Sequence, residues 1–148
     1  MTTFQSSSLA ETKKFAERFA KKILKTKKGR RGALVLALYG ELGSGKTTFV
    51  QGFFRGVGIK RRAMSPTFII FRRIPLRREN FTNLYHVDAY RIKKPREILE
   101  LGFKEILSDP KNIVLIEWAD KIKKILPKTV IPLRFSYGPG ALERMILG

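Results

Sequence analysis

Gly40-Glu41-Leu42-Gly43-Ser44-Gly45-Lys46-Thr47 is the stretch on which the fold turns. It has the spacing of a Walker A loop, in which glycines let the backbone curl until successive N–H groups point inward at phosphate oxygens. Lys46 would place a compact charge on the β- and γ-phosphates, and the Thr47 hydroxyl would face Mg²⁺. The flanks agree with that reading. Residues 33–39 form an unbroken apolar run, as expected of a strand buried on both faces in a parallel sheet. Residues 48–57 read as a helix closed by Gly58, so the helix start would add its positive dipole end to the loop.

Working outward, Phe15, Phe19 and Ile23 recur every four residues beside Ala16, Ala20 and Leu24, which predicts an amphipathic first helix. Ser8-Leu9-Ala10-Glu11 supplies a capping box at its start, and the basic loop around residues 29–32 ends it. Residues 68–74 and 81–87 are rich in β-formers around a turn-like 75–80, which predicts a hairpin. A helix is expected over 96–107, a short buried strand over 113–116, a short helix over 121–126, a strand over 130–136 and an edge strand over 145–147. Strands alternating with helices predict one α/β domain over 1–148, a P-loop NTPase fold with a mostly parallel sheet flanked by helices and an antiparallel hairpin.

A P-loop enzyme needs a second acid at a neighbouring strand end to hold Mg²⁺, directly or through water. Ile113-Val114-Leu115-Ile116-Glu117 has that form, and Trp118, the sole tryptophan, could cover a nucleotide or fill core. Ser65-Pro66-Thr67-Phe68 delivers a hydroxyl at a strand start. His86-Val87-Asp88-Ala89-Tyr90-Arg91 puts His86, Asp88 and Tyr90 on one face if extended, making Asp88 a candidate for aligning the attacking water. Arg91 is the arginine that could reach the phosphates from within the chain.

The chain carries 31 Lys and Arg against 12 Asp and Glu, a net charge of +19. The basic residues cluster at Lys21–Arg31, Lys60–Arg62 and Arg72–Arg78. Such a field attracts polyanions, so it suits tRNA contact; it equally suits a solvated basic surface. With no cysteine there is neither a disulfide framework nor a thiolate metal site, and a single histidine argues against protein-only zinc. No secretory signal or membrane-length apolar run is visible, which makes the cytoplasm the expected compartment.

Taken together, Gly40–Thr48, Ser65-Pro66-Thr67-Phe68, His86-Val87-Asp88-Ala89-Tyr90-Arg91 and Ile116-Glu117-Trp118-Ala119-Asp120 closely resemble the TsaE (YjeE) family over nearly the whole chain. Those are bacterial P-loop ATPases required to form threonylcarbamoyladenosine beside the anticodon of tRNAs reading ANN codons. The resemblance implies ATP and Mg²⁺ as ligands. Phosphate binding would fall to Glu41, Leu42, Gly43, Ser44, Gly45, Lys46, Thr47 and Thr48, with Thr47 and Glu117 on Mg²⁺ and Lys46, Asp88 and Glu117 serving hydrolysis. Thr67 would sense the γ-phosphate, Trp118 would lie near the nucleotide, Leu9 by the base, and Gly140 close to the nucleotide. The implied partners are the TsaD and TsaB proteins, whose transferase complex the ATPase cycle would reset or regulate. A small-molecule P-loop kinase and a basic RNA-associated NTPase are the competing readings. A GTPase would want an Asn-Lys-x-Asp base-reading segment, and the sequence has none.

Overall fold

The computed structural model describes residues 3–25, 30–41, 43, 45–60, 70–137 and 144–147. In chain order the elements are β1 (Thr3–Ser6), α1 (Leu9–Leu24), β2 (Leu34–Tyr39), α2 (Lys46–Gly56), β3 (Phe71–Pro75), β4 (Asn83–Asp88), α3 (Arg96–Leu99), α4 (Phe103–Ser108), β5 (Asn112–Glu117), a 3-10 helix (Ala119–Ile125), β6 (Ile131–Tyr137) and β7 (Arg144–Leu147). This is the expected α/β pattern. The chain forms two compact units, one of residues 1–26, 39–65 and 132–148, the other of residues 27–38 and 66–131.

In the first unit α1 lies along α2, and the reason is residue size. A Cβ added to Gly52 would come within 2.8 Å of Ala16 Cβ and of Lys13 Cα. One added to Gly56 would meet Ala20 Cβ and the Glu17 carbonyl at 2.6 Å. Two glycines one turn apart on α2 therefore face two alanines one turn apart on α1, and the backbones approach closely. Phenylalanines surround this seam. Phe15 stacks on Phe4 at 4.2 Å between ring centroids, Phe49 meets Phe53 at 6.1 Å, and Phe49 packs edge-on to Phe135 of β6 at 5.5 Å. β7 pairs antiparallel with both β6 and β1. The strand β1 was not foreseen; its four residues, Thr-Phe-Gln-Ser, are too few to show a period.

The second unit holds the parallel pairing. β5 runs parallel to β2 on one side and to β4 on the other, and β3 closes the predicted hairpin antiparallel to β4. Every residue of β5 is buried, as a central strand covered on both faces requires. The helix expected over 96–107 is broken into α3 and α4 because Gly102 sits at φ +84°, a left-handed conformation no α-helix can contain. Arg30 lies over the Phe81 ring at 4.5 Å and donates to the Pro110 carbonyl at 2.8 Å. The lost hydration lowers the Arg30 pKa from its ordinary value. The last predicted helix is a 3-10 segment. No helix among the described residues is long and apolar enough to cross a membrane.

The start of α1 departs from the predicted capping box in one detail. The Ser8 side chain accepts from the Glu11 N–H at 3.1 Å as expected. The Glu11 carboxylate, however, reaches one residue further back, accepting from the Ser7 N–H at 2.8 Å and the Ser7 hydroxyl at 3.0 Å. Ser6 Oγ takes the Ser8 N–H instead, at 3.4 Å.

Two measurements check this packing. Gly52→Val should destabilise the protein by about 1–3 kcal/mol, the range for overpacking a close contact, seen as a lower urea midpoint. The Ser7 backbone and hydroxyl bonds hold the Glu11 carboxyl below its ordinary value of 4.5. Its contribution to stability is therefore complete above the unfolded pKa and is lost as pH falls through the lowered folded value. Glu11→Ala should melt earlier than wild type at pH 7, and the gap should close well below pH 4.5.

Candidate nucleotide site

The described part of the glycine loop has the backbone its sequence calls for. Gly40, Gly43 and Gly45 take φ values of +146°, +79° and +106°, a region closed to most side chains. Gly43 is constrained twice over, since a Cβ there would also stand 2.9 Å from the Tyr137 hydroxyl. Gly45 caps α2 and has no side chain with which to cover the first amides of the helix. Lys46, the first helical residue, is only 5% exposed, and its Nζ donates back across the loop to the Gly40 carbonyl. A buried ammonium at the start of a helix suits a polyanion, which would take over the bond that Gly40 now accepts. Thr47 is exposed on the next position of α2, Thr48 is half-buried, and Glu41 is exposed. Leu9, at the first position of α1, is exposed. Arg134 of β6 lies over the Tyr39 ring at 5.0 Å.

The second acid is set by strand register. In the parallel ladders Glu117 is opposite Leu38 on one side and Asp88 on the other. Register partners in parallel strands are roughly 4.8 Å apart and point to the same face, so Asp88 and Glu117 are neighbours there. His86 shares that face, two residues before Asp88. Its Nε2 lies 2.6 Å from Glu117 Oε2, and the two side chains are 3% and 7% exposed. The Asp88 carboxylate accepts from the Tyr90 N–H at 3.0 Å and so closes the end of β4. The Ala89 N–H donates to the Glu117 carbonyl at 3.0 Å, which ties the two strand ends together.

Beyond the strand, Tyr90 leaves the face predicted for it with His86 and Asp88. It is exposed, and its ring meets Trp118 at 5.0 Å. Trp118 is the one described non-glycine residue at positive φ, +57°, in the turn that leads straight from Glu117 into the 3-10 helix. A non-glycine residue in that conformation costs of order 1–3 kcal/mol and persists only where its surroundings fix it. Arg91 follows Tyr90 and is exposed.

Leu42, Ser44, Thr67 and Gly140 lie outside the described residues. Lys46, Thr47 and Gly45 come together on the loop and its helix; Asp88 and Glu117 come together on the second unit's sheet. Sequence reasoning missed the His86–Glu117 bond and the contact of Tyr137 with the loop. The period of two put His86 on the Asp88 face, but only strand order and register reveal which residue it meets.

Among the described residues no group of three His, Asp or Glu side chains could enclose a metal. That excludes an all-protein cage there.

A family model described as threonylcarbamoyl adenosine biosynthesis protein TsaE matches residues 6–146. The tRNA threonylcarbamoyladenosine biosynthesis protein TsaE of Rickettsia typhi is 39% identical over 126 residues, 84% of this chain and 79% of that one. The TsaE protein of Bacillus subtilis is 42% identical over 94 residues, 64% of this chain and 56% of its own length. Among solved structures, Bacillus subtilis YdiB aligns with a TM-score of 0.73 at 30% identity, covering 98% of this chain and 82% of that chain. The family match spans the glycine loop, the β4 face and the Glu117 strand end alike, and on that footing the chain belongs to the TsaE family of tRNA threonylcarbamoyladenosine biosynthesis proteins.

Proposed function

We propose that the chain binds ATP with Mg²⁺ and hydrolyses it as an accessory step in threonylcarbamoyladenosine formation, regulating or resetting the TsaB–TsaD transferase complex. The observation that carries this reading is the loop itself: three glycines at positive φ and a buried Lys46 whose ammonium is bonded to the Gly40 carbonyl. A buried cation at a glycine loop that opens a helix is a phosphate site in waiting. Family membership supplies the biosynthetic setting.

In this reading the loop amides and Lys46 orient the triphosphate and balance charge that develops on the γ-phosphoryl group in the transition state. The Thr47 hydroxyl and the Glu117 carboxylate would hold the metal. Mg²⁺, when bound, supplies charge neutralisation at the β- and γ-phosphates. Asp88 accepts a hydrogen bond from the attacking water and sets its line of approach. Trp118 and Leu9 would border the nucleotide, and the roles of Thr67 and Gly140 rest on the family resemblance alone. Arg91 is the internal arginine available to the phosphates. With no other arginine assigned to them, turnover by the chain alone is slow, and a partner completes the site. The basic surface, including exposed Arg72, Arg73, Arg77 and Arg78, contributes tRNA contact in the assembled complex.

Phosphate release from ATP, measured without any acceptor molecule, tests the reaction. The chain alone should release phosphate slowly and adding the TsaB–TsaD complex should change the rate. Transfer that requires a small-molecule acceptor would instead identify a kinase. Lys46→Ala should weaken ATP binding by about tenfold to a hundredfold, the equivalent of a hydrogen bond to a charged group, as read by Trp118 fluorescence. Unchanged affinity in that variant would refute the assignment of Lys46.

A further inference from the structure

We infer that His86 is a positioning residue for Glu117, holding one carboxylate oxygen so that the other is presented to the metal; this rests on the reading of Glu117 as the magnesium acid. As a metal ligand Glu117 would be a carboxylate and could only accept, which makes the imidazole Nε2–H the donor to Glu117 Oε2 across the 2.6 Å contact. Both side chains are buried, so water does not compete for the bond. Among the described residues His86 is the hydrogen-bond partner of that carboxylate.

β4 and the residue that follows it hold Glu117 at two points. His86 fixes the side chain and the Ala89 N–H fixes the main-chain carbonyl at 3.0 Å. Between those two anchors lies Asp88, in register with Glu117 and on its face. A short segment of one strand thus sets the rotation of the carboxylate and places the neighbouring acid. Stability alone does not explain such a pair. Replacing a buried polar pair with well-packed apolar residues is often neutral or stabilising. A metal-ligating carboxylate, by contrast, needs an outer hydrogen bond to hold its orientation, and losing such a partner typically weakens metal affinity by 10–100-fold.

The test uses the full chain bound to a non-hydrolysable ATP analogue, with Mg²⁺ titrated and binding read from Trp118 fluorescence. Thermal unfolding of each variant reports folding separately. His86→Leu should weaken the apparent Mg²⁺ affinity by about tenfold while leaving analogue binding in EDTA unchanged. His86→Gln, which returns an N–H donor, should recover most of the loss. Glu117→Gln, the control, should weaken Mg²⁺ at least as much as His86→Leu. If Glu117→Gln weakens Mg²⁺ and His86→Leu does not, the positioning role is wrong and the Glu117 assignment survives. If His86→Gln is as impaired as His86→Leu, the hydrogen bond is not the cause and the proposal is overturned. If Glu117→Gln leaves Mg²⁺ affinity unchanged, the metal reading of Glu117 fails and takes this proposal with it. Should His86→Leu not fold, the wild type decides: the chain has one histidine, so its imidazole nitrogens give one set of NMR signals. Those signals should shift when Mg²⁺ is added to the analogue complex, and an unmoved set would overturn the proposal.

Discussion

A central strand paired in parallel on both sides has no freedom of register. β5 is such a strand, locked to β2 and β4 over its length, and each ladder step fixes which side chains are neighbours. One residue of slip would turn Glu117 to the opposite face and bring an apolar side chain in its place. Glu117 is buried at the end of that strand, and a buried carboxylate is costly without a partner. The same register that buries it also supplies His86 and Asp88 on its face. The chemistry of this strand end therefore follows from the pairing of apolar residues that have no chemistry of their own: Ile113, Leu115, Leu36 and Leu84.

The glycine loop obeys a different constraint. Its shape is local, dictated by residues that tolerate positive φ, and it is braced from within by Lys46 and from β6 by Tyr137 against Gly43. The α1–α2 seam steadies the helix that the loop opens. There the fit comes from small residues, Gly52 and Gly56 against Ala16 and Ala20, with a ring of phenylalanines around them.

What could be read from the sequence divides along this line between local and non-local causes. The loop, α2, the buried β2 and the α1 stripe were legible because each is written in consecutive residues or in a period of 3.6. The place of Glu117 at the end of a buried strand was legible because four apolar residues ending in an acid is a local pattern. The division of the 96–107 segment was missed, although Gly102 marks the break, because its flanking apolar residues continue a helical rhythm through it. β1 is too short to show a rhythm, and it forms a strand because β7, distant in sequence, lies beside it. The His86–Glu117 bond spans 31 positions and depends on strand order, which no local pattern encodes. Tyr90 was assigned to the His86 face by extending the strand period too far; β4 ends at Asp88, and the ring turns to Trp118.

The proposed function has the glycine loop receive a triphosphate, with Thr47 and Glu117 as the metal's expected protein ligands. A crystal structure with a non-hydrolysable ATP analogue and Mg²⁺ tests it directly. The account predicts phosphates within the curl of the loop, the Lys46 ammonium moved from the Gly40 carbonyl to a phosphate oxygen, and the metal ligated by the Thr47 hydroxyl and by Glu117, directly or through one water. A nucleotide bound elsewhere, or a metal with Glu117 out of reach, would contradict it.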